Sequence, residues 1–503
     1  MQGAHRKNNT KWYGFRMFPI RASLFRSVAT LGLLIPLSAC AVPDLGARPE
    51  MRAPASVAAE QSFAGQGTGA WPADGWWNAY GDAQLATLIE EGLKGSPDAA
   101  AAAARFRMAQ GMAQATGARL LPTLDAQGST YLEKQSRVRG IPPQFFPGGW
   151  KDYGQAALDL NYDVDLWGRN RAALAAATSE VDAARIEQNQ AYLALTTAIA
   201  ATYADLARLY AERDVLDAAI TLRSSTQKLV SDRVTNGLDT RAELKQADAA
   251  LPAARADLAA ADELIAMTRN QLAALIGAGP DRGLSITRPT IASLHQPGLP
   301  AEITTELIGR RPDIVAARAR AEAAASRIKV ARADFYPAIS LRALIGRQSL
   351  GIDNLTKSAA TIGTVGPAIS LPIFHGGALS GRYRGARATY DEAVANYDKT
   401  VLNAYREVAD AMTGQHALTD RLAQSREALA ASEEAYAIAV KRYQGGLSTY
   451  LNVLTSEERL LQARRSVANL GARMFAVDIA LVRALGGGFT TSTTADIKDR
   501  SNG

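Results

Sequence analysis

Among 503 residues there is one cysteine, Cys40, and there are four histidines, His5, His295, His375 and His416. One thiol closes no intrachain disulfide, and the scattered histidines have no ligand spacing, so no metal-ligating residue is assigned. His375 sits in a glycine turn and is most simply turn chemistry. No glycine-rich phosphate loop follows a strand-like run, and no credible Ser/His/Asp arrangement exists, so no catalytic or cofactor-binding residue is assigned and an enzyme is not expected. Arg310-Arg311-Pro312-Asp313 has the makings of an anion clamp, but proline at a first helical position followed by aspartate is ordinary helix initiation. An excess of one charge is also missing. The formal net charge is +7, yet six basic residues and no acidic one precede Cys40, leaving 50 basic against 49 acidic beyond it. The basicity belongs to a leader and is no argument for nucleic acid. At 47% hydrophobic and 21% charged, the chain is neither largely disordered nor a polytopic helical membrane protein.

What is present begins with that leader. Arg21 and Arg26 precede the apolar run Val28 to Leu37, which stops at Leu37-Ser38-Ala39-Cys40. The run is too short for a permanent bilayer helix and has the layout of a secretory signal over residues 1–39, with Met1 or Met17 as the start. Its ending resembles a bacterial lipobox. That resemblance implies cleavage before Cys40, an S-diacylglycerol and N-acyl lipid on Cys40, and no other cofactor. Ala41 and Val42 follow without an aspartate, which favours the outer membrane. Residues 40–75, rich in Ala, Pro and Gly up to 70, read as a flexible lipidated tether.

Next comes a duplication. Pro97-Asp98 followed by Pro122 recurs as Pro312-Asp313 followed by Pro337, 215 residues on. Arg233 to Thr240, with Gly237-Leu238, recurs as Arg442 to Thr449, with Gly446-Leu447, 209 residues on, and Leu275-Ile-Gly277 recurs as Ala484-Leu-Gly486. The expected organisation is therefore a first repeat over 76–290, a second over 291–488 and a polar tail over 489–503. Within each repeat the hydrophobic period switches. Leu158, Leu160, Tyr162, Val164 and Leu166 alternate with Asp159, Asn161, Asp163 and Asp165, giving one apolar and one polar face. Strands are predicted at about 123–133, 153–166, 338–347 and 361–372. They have bilayer-crossing length, although a half-exposed soluble sheet would show the same alternation. Elsewhere Tyr192, Ile199, Leu206 and Ile220, with Leu195, Leu209 and Leu216, mark a coiled-coil seam. The long helices are predicted at about 100 Å, each matched by two shorter ones stacked end to end. Four strands with open edges cannot stand in hydrocarbon, so membrane strands require two, three or four copies.

These residues resemble the outer-membrane efflux (TolC-like) family, in its NodT-like lipoprotein branch. The resemblance is carried by Trp76-Trp77-Asn-Ala-Tyr80-Gly-Asp82, Tyr162-Asp-Val-Asp165-Leu-Trp-Gly168-Arg169, Arg310-Arg311-Pro312-Asp313, Phe335-Tyr336-Pro337, Gly366-Pro367 through Gly377, and the Gly446-Leu-Ser-Thr turn. It implies a mostly α fold with a membrane β-barrel portion: a homotrimer with 12 strands in the outer membrane and a 12-helix coiled-coil barrel through the periplasm. The implied partners are a periplasmic adaptor and an inner-membrane pump, usually of the proton-driven resistance-nodulation-division class. The implied function is a passive exit duct of a tripartite efflux system. By resemblance, Gly237, Leu238, Gly446, Leu447, Ser448 and Thr449 receive the adaptor, and the stretch behind the second tip closes the periplasmic end. Thr455 and Glu458 stand where the family commonly has aspartate and arginine, so Leu451, Thr455, Glu457 and Glu458 are the constriction candidates, against a plain solvated helix face. Asp159, Asn161, Asp163 and Asp165 are expected to line the lumen, or to cap the strand-to-helix transition. Two rivals stand beside this reading: a non-conducting acylated periplasmic scaffold, and the exit duct of a type I protein secretion system. Neither the cargo nor the cognate pump is written in these residues.

Overall fold

The computed structural model describes residues 42–53, 56–59, 61–63, 69–134, 136, 148–290, 300 and 303–490. In chain order the elements are α1 (Ala83–Gly95), α2 (Pro97–Gly117), β1 (Thr123–Glu133), β2 (Lys151–Val164), α3 (Arg169–Thr235), α4 (Arg241–Leu275) and the short α5 (Pro280–Leu284). There follow α6 (Ile303–Arg310), α7 (Pro312–Ala333), β3 (Ala338–Leu350), β4 (Thr361–Ser370), α8 (Ala378–Gln444) and α9 (Tyr450–Ala484). The long helices α3 and α8 are each 67 residues, and α4 and α9 are each 35. The chain forms two compact units, one around the strands and one around the helices, and each sequence repeat contributes to both.

In the first unit the four strands make one antiparallel sheet, ordered β1-β2-β3-β4. The register sorts side chains by chemistry. Leu160 lies opposite Leu124 and Ala343, Leu158 opposite Ala126 and Ile345, Tyr162 opposite Leu341, and Leu341 opposite Pro367. One face is thus apolar across all four strands. Asp159, Asn161 and Asp163 share the other face with Asp125, Thr123, Arg342 and Ser340. A one-residue slip in any strand would mix the two faces. Pro367, opposite Leu341, has no amide hydrogen to give to a ladder. The strand predicted to 166 ends at Val164. Asp165 and Leu166 belong to the following turn, where Gly168, at φ 72°, donates to the Asp165 carbonyl. The strand predicted to 372 ends at Ser370, and Pro372 beyond it has no amide hydrogen to extend the ladder. At the strand-to-helix junction Trp167 stacks on Tyr336 (4.9 Å between ring centres), and its indole donates to the Pro337 carbonyl at 2.8 Å.

In the second unit, helix pairing follows the heptads. Ile199, Leu206, Leu195, Leu209 and Leu216 of α3 are buried, most of them in a core completed by Leu85, Leu88 and Ile89 of α1, Leu272 of α4 and Phe475 and Ile479 of α9. Polar links fix the antiparallel pairing of α3 with α4, including Arg213 to Asp262 at 2.7 Å and Gln227 to Asp248 at 3.1 Å. A second ladder joins α3 to α7: Glu187 pairs with Arg320, and Glu180 with Arg327 at 2.9 Å, one heptad apart on each helix. The shorter helices meet at two equivalent glycines. A Cβ on Gly277 (φ 78°) would fall 2.1 Å from the Gly95 carbonyl oxygen, and one on Gly486 (φ 89°) 2.0 Å from that of Arg310. The Trp76–Asp82 motif is likewise architectural. A 3-10 turn spans Trp76–Tyr80, Asp82 caps α1, and its other oxygen accepts from the Tyr203 hydroxyl and the Thr290 amide.

The segment before Trp76 differs from the flexible tether expected. Its described residues lie on α8: the Arg52 amide donates to Asp398, Arg387 to the Ala47 carbonyl and Tyr390 to the Pro49 carbonyl, while Ala59 is buried and Phe63 stacks on Tyr405. Composition could not reveal this, because the partners lie more than 300 residues away. Leu160→Arg, on the apolar face near mid-strand, should destabilise the membrane-inserted protein by about 2–4 kcal/mol if that face meets lipid. Yield of folded protein in outer membranes measures it, and wild-type yield would refute the face assignment.

Candidate functional site: the helix tips and the segment behind them

Each long helix ends in the same turn. At the first tip, Gly237 (φ 74°) donates to the Val234 carbonyl and Leu238 to that of Arg233. At the second, Gly446 (φ 72°) donates to Tyr443 and Leu447 to Arg442. Both are the glycine-terminated helix closure in which the last carbonyls are satisfied and the next helix turns back. Leu238 and Leu447 remain exposed at the two apices. The tips then diverge. Thr240 and Glu243 make a reciprocal cap at the start of α4, whereas Thr449 at the start of α9 makes no side-chain cap. Asp239 of the first tip binds Arg233 at 2.9 Å and accepts a short hydrogen bond from the Tyr443 hydroxyl, tying α3 to the end of α8. Arg233 also lies 4.5 Å from the centre of the Tyr443 ring. Burial and the neighbouring carboxylate push the Tyr443 hydroxyl well above the ordinary phenol range. At the second tip Ser448 replaces Asp239, and its hydroxyl is buried without a partner among the described residues.

Behind the second tip the four constriction candidates separate. Leu451 (62% exposed), Thr455 and Glu458 lie on the exposed side of α9, and the Thr455 hydroxyl donates to the Leu451 carbonyl. Thr455 and Glu458 line an open groove of about 570 Å³ with Ser425, Arg459 and Gln462. Glu457 does not belong with them. It is 1% exposed, accepts from Arg223 and from Thr226 of α3 (both 3.3 Å), and lies beside Tyr436 of α8, whose hydroxyl shares Thr226. Burial raises the Glu457 carboxyl above the usual carboxylate range, while Arg223 and Thr226 pull it back. This placement was recoverable from spacing. Tyr450, Val453, Glu457 and Leu460 follow the three- and four-residue steps of a core stripe, so Glu457 falls on the row of the buried residues. Arg223, Asp239 and Tyr443 gave no such signal, since their partners lie on other helices.

Asp159, Asn161 and Asp163 share one sheet face, joined by Asp125 and Arg342, which sequence reasoning did not single out. Asp165 lies past the strand end. Arg311 is no open anion clamp: it is buried, bound to Asp313 (2.6 Å), Glu407 (2.8 Å) and the Ala484 carbonyl, so it ties the start of α7 to α8 and the end of α9. Cys40 lies outside the described residues, as do His5 and His295. Among the described residues no group of His, Cys, Asp and Glu is placed to hold a metal, and no helix is long and apolar enough to cross a membrane. Strands that close into a barrel need no such helix.

The chain, with its two-faced sheet and duplicated helices, is matched by one family model, outer membrane efflux protein, over residues 88–278 and again over 304–487. The chain belongs to the outer membrane efflux protein family. As a member it is an efflux channel of the outer membrane that extends into the periplasm. Among solved structures, this efflux protein is similar to the outer membrane protein VceC of Vibrio cholerae, with 45% identity and a TM-score of 0.79, over 83% of this chain and all of that one. It is 30% identical to the multidrug resistance outer membrane protein MdtP of Escherichia coli K12, over 85% of this chain and 89% of that protein. It is 36% identical to the fusaric acid resistance protein FusA of Burkholderia cepacia, over 63% of this chain and 60% of FusA's length.

Removing Arg223 leaves the Glu457 carboxylate buried without its cation, so Arg223→Ala should lower stability at pH 7.5 by about 3–5 kcal/mol. The pH dependence has a fixed sign. With its carboxyl raised, the folded protein holds this proton to higher pH than the unfolded chain, so the added stability is present at low pH and lost as pH rises through the raised value. The variant should therefore gain stability between pH 7.5 and 5.5 relative to wild type in thermal melts. A parallel pair of pH profiles would contradict the buried-carboxylate assignment.

Proposed function

We propose that this efflux protein works as three copies whose sheets close one barrel, passively conducting small molecules delivered by a periplasmic adaptor and an inner-membrane pump, the pump most simply of the resistance-nodulation-division class. The observation that carries the reading is the sheet: one face apolar across four strands, the other bearing Asp125, Asp159, Asn161, Asp163 and Arg342, and both edges unpaired among the described residues. A non-conducting scaffold has no use for such a two-faced sheet. In hydrocarbon, unpaired strand edges are excluded, and closure on further copies is the solution open to strands. A ring of twelve strands from three copies encloses a water-filled lumen, and the polar face is the one suited to it.

The tips are assigned to the adaptor. Gly237-Leu238 and Gly446-Leu447-Ser448-Thr449 put paired exposed leucines at the apices, where a partner's apolar residues would bury them. Behind the second tip, Leu451, Thr455 and Glu458 are assigned to the constriction, while Glu457 holds α9 against α3 from within. Cys40 is assigned to the lipid anchor. The multidrug and fusaric acid resistance in the names of MdtP and FusA belongs to those proteins, and a wide duct needs no cargo pocket of its own.

In planar bilayers the purified protein should give small, mostly closed currents that widen when Leu451 and Glu458 are changed to alanine. A well-folded oligomer with no current, silent in the variants as well, would favour the scaffold. Gly446→Val, which forces a β-branched residue into a left-handed turn, should abolish efflux in drug-tolerance assays while the oligomer persists in the membrane. Retained tolerance would remove the tip from the adaptor contact.

A further inference from the structure

The loop that joins β3 to β4, at the strand ends away from α7, lies against the apolar face of the sheet. Its residues make two 3-10 turns, Ile352–Asn354 and Ser358–Ala360. Gly154 faces the same way as Leu158 and Leu160, and a Cβ there would stand 3.4 Å from Ile352 and 3.5 Å from Leu355. Arg347, opposite Ala156 and Thr361, shares that face two residues beyond Ile345, and its Nη1 donates to the Leu355 and Thr356 carbonyls. Asp152, also on that face, accepts from the Ile352 amide at 2.6 Å. These contacts turn the loop away from the polar face.

The placement leaves two cations without a counter-charge. Arg347 is exposed, and its Nε and Nη2, the edge of the guanidinium that fits a phosphate, meet no acceptor among the described residues. Lys357 is exposed too, and its ammonium donates to the Asn354 side-chain oxygen at 2.6 Å, a neutral partner. Of the carboxylates nearby, Asp152 is engaged by the Ile352 amide, while Asp353 is exposed and forms an ion pair with neither cation. Exposed apolar side chains adjoin the cations: Ile345 at 64% and Val365 at 80% on the sheet, and Ile352 at 45% in the loop.

We infer that Arg347, Lys357 and the loop between them seat a phosphate-bearing lipid of the outer leaflet, its phosphate on the two cations and its acyl chains along Ile345 and Val365. This rests on the reading that the apolar face meets lipid and that the helices lead into the periplasm, which puts this loop at the outer end. A cation whose stem lies along apolar surface while its head reaches the polar boundary is suited to a membrane edge, and an anionic headgroup adds attraction for each such cation. A free anion would use the cations alone and gain nothing from the exposed apolar side chains beside them. Asp353, on the same loop, opposes an anionic ligand, which fixes the sign of a further test.

Full-length protein, purified from outer membranes and washed in neutral detergent, is titrated with lipid A carrying two phosphates, with the same lipid stripped of its phosphates, and with inorganic phosphate. Native mass spectrometry counts what is bound. Lys357→Gln, which touches no other element, should weaken binding of the phosphorylated lipid about fivefold, the effect of one cation at an anionic surface. Lys357→Arg should restore it, and Asp353→Asn should tighten binding by about the same factor. Arg347→Gln should weaken it at least as much as Lys357→Gln. The stripped lipid should bind wild type and variants alike. Wild-type affinity in Lys357→Gln, or equal binding of the two lipids, would overturn the seat while leaving the lipid-facing sheet in place. Inorganic phosphate bound as tightly as the lipid would overturn the part given to the apolar side chains. A wild-type protein that takes up neither lipid would overturn the reading of the apolar face itself.

Discussion

An antiparallel sheet of four strands with two free edges is the constraint on which the rest of this molecule depends. In water an unpaired edge is a modest liability, but in hydrocarbon each unpaired backbone group costs several kcal/mol. A chain with this sheet must therefore be completed by its own kind, and its duplicated layout supplies matching edges at β1 and β4. Conduction follows from the same constraint. In the barrel proposed above, the alternation that turns one face to lipid leaves Asp159, Asn161 and Asp163 on the other, which suits carboxylates that need water.

In the helical unit, stability comes from the pairing of long helices. Alanine-rich heptads allow close packing, and the ends of the shorter helices approach so closely that Gly277 and Gly486 admit no side chain. Specificity is added by a few buried polar groups. Arg311 gathers the start of α7, Glu407 of α8 and the last carbonyls of α9, and Asp82 gathers α1, Tyr203 and the chain near Thr290. Motifs that look like sites, such as Arg310-Arg311-Pro312-Asp313 and Trp76 to Asp82, are joints.

At the tips the two repeats divide their labour. The first has Asp239 bound to Arg233 and Tyr443, and a complete cap on α4. The second has Ser448 in the place of Asp239, and no side-chain cap on α9. The inner attachments of α9 are instead Glu457 to Arg223 and Thr226, a buried carboxylate held by another helix. The helix that carries Leu451, Thr455 and Glu458 is thus held by an apolar stripe that includes Tyr450, Val453 and Leu460, with the Glu457 contacts set into it.

Much of this was legible in the sequence because it depends on local periods. The switch between two-residue and heptad alternation located the strands and long helices, the repeated Pro-Asp and Gly-Leu landmarks revealed the duplication, and Gly237 and Gly446 marked both turns. What needed the tertiary structure was every statement about partners far apart in the chain. Glu457 stood among the constriction candidates, and spacing puts it on the buried row, but only the fold shows that Arg223 of α3 meets it; the segment before Trp76 looked like a tether until Asp398, Arg387 and Tyr390 received it. Asp165 joined the alternating strand on paper but lies in the turn after it, because the glycine at 168 ends the pairing first. Local periodicity is set by bonded geometry and can be read along the chain. Burial of a charge is decided by which distant side chain arrives to meet it, and only the folded arrangement of the helices decides that.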